Sequence, residues 1–130
     1  MFPSRVVGAA LLLVSCPMAF AAAPGFPTRP VRLVLPFTPG GGTDITARAI
    51  GHKLSERWGQ QVIIDNRPGA GGNLGAEIVA RAAPDGYTLL AITASHTVNR
   101  AVQGKTSFDL LTDLAPISLI TSLPYAMLIT

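Results

Sequence analysis

Nine residues, Pro36-Phe37-Thr38-Pro39-Gly40-Gly41-Gly42-Thr43-Asp44, constrain this chain more than any others. The apolar run Val31 to Leu35 precedes them and reads as a short buried strand. A helical pattern leaves them near Asp44. The stretch is therefore a strand-to-helix loop with three successive glycines. Glycine lets the main chain take turns closed to other residues and lets another molecule approach the backbone. Thr43 and Asp44 suit the N-cap of the helix that follows. A helix start also offers unpaired N–H groups and partial positive charge, which favour an anion. The plainer alternative is a tight loop that only caps its own helix.

The same unit then repeats. The first helix is expected from Thr43 to Trp58, with Ala47, Ile50, Leu54 and Trp58 on one apolar face. Arg57 suits the last turn and Gly59 the C-cap. Val62-Ile63-Ile64 reads as a second strand, and Asn66 to Asn73 as a second glycine-rich loop. A second helix carries Leu74, Ile78 and Ala82 at four-residue spacing and stops before the turn Pro84-Asp85-Gly86. Tyr87 to Ile92 gives a third strand, ending in the polar loop Thr93 to Asn99. Leu114 to Thr121 reads as one more strand. This alternation predicts an α/β fold with an open parallel sheet and helices on its faces. All three loops then leave from one rim, where ligands of such sheets bind.

The first 23 residues read differently. Arg5, the apolar run Val6 to Val14 and the ending Ala21-Ala22-Ala23 make a secretory signal peptide. Leu13-Val14-Ser15-Cys16 resembles a bacterial lipobox, so lipidation of Cys16, and with it membrane anchoring, stays as the alternative to ordinary cleavage. Cys16 is the only cysteine. Its removal would leave no disulfide, thiol nucleophile or thiolate metal site. The formal charge of +3 falls to +2 without Arg5, and the remaining basic residues are scattered. Nucleic-acid binding leaves a basic stripe, and none is present.

Enzyme readings fail on residue types. Neither glycine loop carries the lysine of a phosphate-binding loop. Gly69, Gly71 and Gly75 are spaced one residue too widely for the dinucleotide fingerprint. Ser95 beside His96 is not a triad, and no G-x-S-x-G elbow occurs. His52 and His96 lack the nearby acids or histidines of a metal site. No cofactor is expected. His52 reads as surface, whereas His96 sits on a loop that can meet ligand.

Three motifs then carry a resemblance. Phe26 to Asp44, Asn66-Arg67-Pro68-Gly69-Ala70-Gly71-Gly72 and Pro84-Asp85-Gly86-Tyr87-Thr88-Leu89-Leu90 resemble, in order and spacing, the signatures of Bug-type solute-binding receptors of tripartite tricarboxylate transporters. The resemblance covers Phe26 to Thr130. It implies a periplasmic receptor with the two-lobed clamshell of type II periplasmic binding proteins. It also implies a small carboxylate as ligand and the transporter's membrane subunits as partners. One ligand carboxylate is held in that family largely by main-chain N–H groups and water. Carried onto this chain, the ligand-binding residues are Gly40, Gly41, Gly42, Thr43 and Asp44, then Ala70, Gly71 and Gly72, then Thr93, Ser95 and His96. Asp44 would repel a carboxylate directly, so capping its helix and fixing the loop is the role expected of it. Arg67 either screens the ligand or lies on the surface.

Departures from the family pattern fall at Arg100 and at Ser107-Phe108-Asp109. The resemblance also implies a longer chain. Residues 24–123 are expected to form the first part of domain 1, and residues 124–130 the start of the crossover to a missing domain 2. On that expectation the chain is a truncated receptor fragment with weakened or lost capture. The alternatives are an exported ligand sensor acting on a membrane signalling receptor and a non-functional truncated product.

Overall fold

β1 (Val31–Leu35) is the middle strand of a parallel sheet of order β2-β1-β3, with β2 (Val62–Asn66) and β3 (Thr88–Leu90) at its sides. This computed structural model describes residues 25–96, 98 and 107–122. The expected leader with Cys16, and the expected crossover at 124–130, lie outside the described residues. So does most of the segment around Arg100.

Two helices follow their strands, α1 (Gly42–Trp58) and α2 (Asn73–Ala80). From β1 the chain crosses to β2 on one side, then passes back over β1 to β3 on the other. Right-handed crossovers in opposite directions put the two helices on opposite faces. Burial agrees. Val31, Leu33 and Leu35 share one face with Ala47 of α1 and Val62. Val34 points to the other face and is also fully buried, as is Ala76 of α2. A strand buried on both faces needs a continuous apolar run, and Val31 to Leu35 supplies it apart from Arg32.

Arg32 is accommodated by charge. Its Nε donates to Asp65 Oδ2 at 2.7 Å, and Arg67 Nε donates to Asp65 Oδ1 at 2.9 Å. Burial of Asp65 opposes ionisation, yet the two guanidiniums outweigh it and hold the carboxyl below its ordinary range. Arg67 is thus paired within its own strand end.

α1 lies close to β2. A methyl at Gly51 would stand 3.1 Å from Ile64 Cδ1 and 3.4 Å from Val62 Cγ1. Gly51, rather than the expected Ile50, is the buried residue there, because only a bare Cα lets the helix approach. Trp58 and Leu54 pack against the core as expected. Gly59 ends the helix in the left-handed conformation, its N–H on Ser55 O at 3.0 Å. Ser55 Oγ then accepts from Val62 N–H at 2.8 Å and ties the helix end to β2.

α2 corrects the predicted stripe. Its buried residues are Gly75, Ala76 and Val79, while Leu74 is 46% exposed. A methyl at Gly75 would stand 2.9 Å from Pro36 Cβ and 3.0 Å from Arg67 O. The helix is therefore turned to bring its barest residue against both neighbouring loops. The expected strand Leu114 to Thr121 is also corrected. Residues 115–122 have no regular structure, and Ile117 and Leu119 are exposed. A strand exists only by pairing its main chain, and this segment pairs with no described strand. Residues 118–121 instead line a shallow cleft beside Leu90, Ala91 and Ile92.

The proline-rich lead-in is anchored rather than loose. Phe26 packs on Tyr87 and Trp58, with ring centroids 5.0 and 6.3 Å apart. Thr28 N–H donates to the Tyr87 hydroxyl at 3.0 Å, and Arg29 pairs with Asp85 at 2.8 Å.

Candidate functional site

All three strands run parallel, so the three loops do leave from one rim. The chain moves away from β1 in one direction and then the other, so the switch point where ligands of such sheets bind falls at the carboxyl ends of β1 and β3. The loop after β1 lies at that switch point.

Main-chain hydrogen bonding decides which groups in these loops are available. Gly41 is the N-cap of α1, with no side-chain cap, so the helix starts slightly earlier than predicted and neither Thr43 nor Asp44 is the cap. Among the described residues no full hydrogen bond is taken from the N–H groups of Gly41, Gly42, Thr43 and Asp44, the first of which only faces Thr38 O across the turn at 39–40. These are the orphan donors of a helix start. Four other amides named in the sequence reading are engaged. Gly40 N–H donates to Asp44 Oδ2 at 3.0 Å. Gly72 N–H donates to Gly69 O at 2.8 Å, and His96 N–H to Thr93 O at 3.1 Å. Thr93 N–H faces His96 Nδ1 at 3.4 Å.

Asp44 is 4% exposed. Arg48 Nε donates to its Oδ2 at 2.9 Å, and Asn66 Nδ2 donates to its Oδ1 at 3.0 Å. Led by Arg48, and helped by Gly40 N–H and Asn66, these donors bring its pKa from 3.8 down to about 2. Of the two roles expected of Asp44, capping its helix is not seen, since Gly41 is the cap. Its carboxylate restrains the β1 loop and offers no surface to a ligand.

Asn66, not among the residues expected at the site, joins this hydrogen-bond network. Sequence reading places it at the head of the second glycine loop, but it is the last residue of β2, in register with Leu35. From there its Nδ2 reaches Phe37 O at 3.2 Å as well as Asp44. Its Oδ1 accepts from Arg48 Nη2 at 3.2 Å.

In the second loop, Gly69, Ala70, Gly71 and Gly72 all have positive φ. Gly72 is buried beneath the third loop. A methyl there would stand 2.4 Å from His96 Nε2. His96 itself is 2% exposed. The Phe37 ring meets it edge-on at 5.5 Å, and among the described residues its Nε2 has no hydrogen-bond partner. His96 therefore packs against both other loops, at Gly72 and at Phe37. Thr93 and Ser95 remain at the surface, their hydroxyl oxygens 2.7 Å apart. Among the described residues no group of three or more His, Cys, Asp or Glu is placed to hold a metal ion.

Burial keeps the His96 imidazole below its ordinary pKa of 6.5, against weaker opposition from the backbone of Thr93 and Gly72. The unfolded chain titrates near 6.5. The stability this gives is full above about pH 6.5 and is lost as pH falls below it. Asp44 adds stability above pH 3.8 that is lost as pH falls from 3.8 toward about 2. Urea midpoints are thus expected to fall between pH 7 and pH 5. His96→Gln should flatten that first step and leave the steeper loss below pH 4.

An open sheet with its switch point beside an uncapped helix start is the lobe architecture of periplasmic binding proteins. A solved structure described as a periplasmic transporter superposes with a TM-score of 0.60 at 44% identity, over 63% of this chain and 28% of that one. The Rhodopseudomonas protein R. palustris Rpa4515, solved with adipate, superposes with a TM-score of 0.53 at 51% identity, over 54% and 23%. Protein BugT of Bordetella pertussis is 38% identical over 104 residues, 78% of this chain and 32% of BugT. A family model described as the tripartite tricarboxylate transporter family receptor matches residues 46–130. The chain belongs to that family. Its homologues are solute-binding receptors and not enzymes. The chain spans about a third of the length of the curated relatives it matches.

Proposed function

We propose that this chain supplies one wall of an extracytoplasmic receptor that captures a small carboxylate for a tripartite transporter. The acid group sits on the amides of Gly41, Gly42 and Thr43 at the start of α1. The observation that carries this reading is the pairing of two facts. Among the described residues those three N–H groups make no full hydrogen bond, and the acidic side chain beside them, Asp44, is tied back by Gly40, Arg48 and Asn66. A buried carboxylate needs several donors to offset its lost hydration, and successive backbone amides supply them without a lysine or arginine. The adipate bound to Rpa4515 supports a carboxylate as ligand class. Ala70, Gly71 and the Thr93 and Ser95 hydroxyls line the approach from the other two loops. Gly40, Asp44, Gly72 and His96 hold the loops in place.

Delivery to the transporter's membrane subunits follows from the family. Export to the periplasm follows from the leader over residues 1–23, with anchoring only if Cys16 is lipidated. Mass measurement of the mature N-terminus separates cleavage after Ala21 or Ala23 from a lipidated Cys16.

The test is calorimetric titration with adipate, citrate and glutamate, with adipamide as the uncharged control. With one wall of the cleft, weak but saturable binding of an acid, and none of adipamide, is expected. Equal binding of adipate and adipamide, or no heat with any acid, overturns the proposal.

A further inference from the structure

We infer that Asn66 is a positioning residue for the bound acid group: it keeps the Asp44 carboxylate from occupying the helix-start amides that the ligand needs. This rests on the reading above.

Asp44 is the third residue of α1, counted from the Gly41 cap. An acidic side chain at that position ordinarily reaches back to the N-cap N–H. The partial positive charge of the helix start draws it the same way. Here it reaches back to a different amide, one residue before the cap. One oxygen passes Gly41 and takes the Gly40 N–H at 3.0 Å. The other is held by Asn66 at 3.0 Å. Arg48 also holds the carboxylate, but from the next turn of the same helix and with a side chain 53% exposed. Among the described residues, Asn66 is the one group in this network that belongs to another strand. It is fixed there by the β1–β2 register and by Phe37 O. The restraint therefore comes from the sheet and does not move with the helix.

Asn66 suits the task chemically. Its amide offers a donor to Asp44 and Phe37 and an acceptor to Arg48. It is neutral, so it adds no cation to the site. Without it, Asp44 Oδ1 is a nearly buried carboxylate oxygen lacking its donor, and such a group seeks another. Donors without a full hydrogen bond among the described residues lie one turn away, the N–H groups of Gly41 and Gly42. The carboxylate then becomes an internal competitor for the ligand's seat. Apparent affinity falls by the fraction of molecules whose seat is still open.

The test uses Asn66→Ala, Arg48→Gln, Asp44→Ala and the double variant Asn66→Ala/Asp44→Ala. Asn66→Ala is expected to weaken adipate binding about tenfold, which corresponds to a seat open in about one molecule in ten. Removing Asp44 as well is expected to return the affinity to within about threefold of Asp44→Ala alone, since the competitor is gone. A structural role alone gives no such rescue, and absence of rescue overturns the inference. A second readout needs no ligand. At neutral pH the amide proton signal of Gly41 or Gly42 should move downfield in Asn66→Ala and return in the double variant. Unmoved signals overturn the inference whether or not adipate binds. Moved signals with no adipate binding by the unaltered chain sustain it and overturn only the proposed ligand. Arg48→Gln, at an exposed residue, should shift both readouts in the same direction by a smaller amount. It decides the matter if Asn66→Ala does not fold.

Discussion

Replacing Gly72 with alanine is expected to lower stability by about 3 kcal/mol, through two costs that fall on the same atom. Gly72 has φ of +97°, where a side chain is strained by about 1–3 kcal/mol. The new methyl would also arrive 2.4 Å from His96 Nε2 and 3.0 Å from Cε1. His96 cannot yield cheaply, because it is buried against Phe37 and closed into its own loop by Thr93. The ring must leave its site or the second loop must lift, and either movement separates all three loops. Overpacking of this kind adds about 1–3 kcal/mol where the neighbour is fixed. The urea midpoint should fall well below that of the unaltered chain. Gly42→Ala, where the added methyl meets nothing within 4 Å, should leave it in place. A Gly72→Ala chain as stable as the Gly42→Ala chain would show that His96 is not the packing point of the three loops.

That arrangement also explains what could be read from residues alone. Parallel strands joined by helices must send their loops from one rim, so the alternation of apolar runs and helical periods is enough to place the loops together. β1 is bounded correctly because Pro30 and Pro36 flank an unbroken apolar run. The apolar stripe of α2 is misread because its closest contact is made by Gly75, and hydrophobic spacing gives a glycine no weight. The same blindness puts Ile50 ahead of Gly51 on α1. The place of Asn66 in its hydrogen-bond network is hidden from the sequence for a different reason. Its partners Phe37, Asp44 and Arg48 are brought to it only by the pairing of Leu35 with Asn66, and register is a long-range property. His96 is recognised from its loop position, but its burial against Gly72 and Phe37 depends on contacts between loops that no local pattern carries. The strand expected at Leu114 to Thr121 has the right composition but no described strand to pair with, since strand formation depends on a neighbour as much as on its own residues.

Proline at position 42 separates the backbone-amide seat from every other explanation of acid binding. Gly42 is the first residue of α1, and its N–H is one of the donors that make no full hydrogen bond among the described residues. Proline removes that N–H and is well tolerated at a first helical position, where no intrahelical bond is lost. The residue before a proline must be extended, and Gly41 already is, with φ of −76° and ψ of 167°. The carbonyl of Gly42, which accepts from the Thr46 hydroxyl at 2.9 Å, is untouched. Stability should therefore stay within about 0.5 kcal/mol, the range of a harmless surface change. A hydrogen bond to a charged group is worth about 1.5–3 kcal/mol, so adipate affinity should fall about 10- to 100-fold by the usual conversion. Gly41→Ala keeps its N–H and should bind close to normally. Full-strength binding by a folded Gly42→Pro chain would place the acid group elsewhere on the rim, since the ring takes the place of the amide hydrogen and net charge is unchanged.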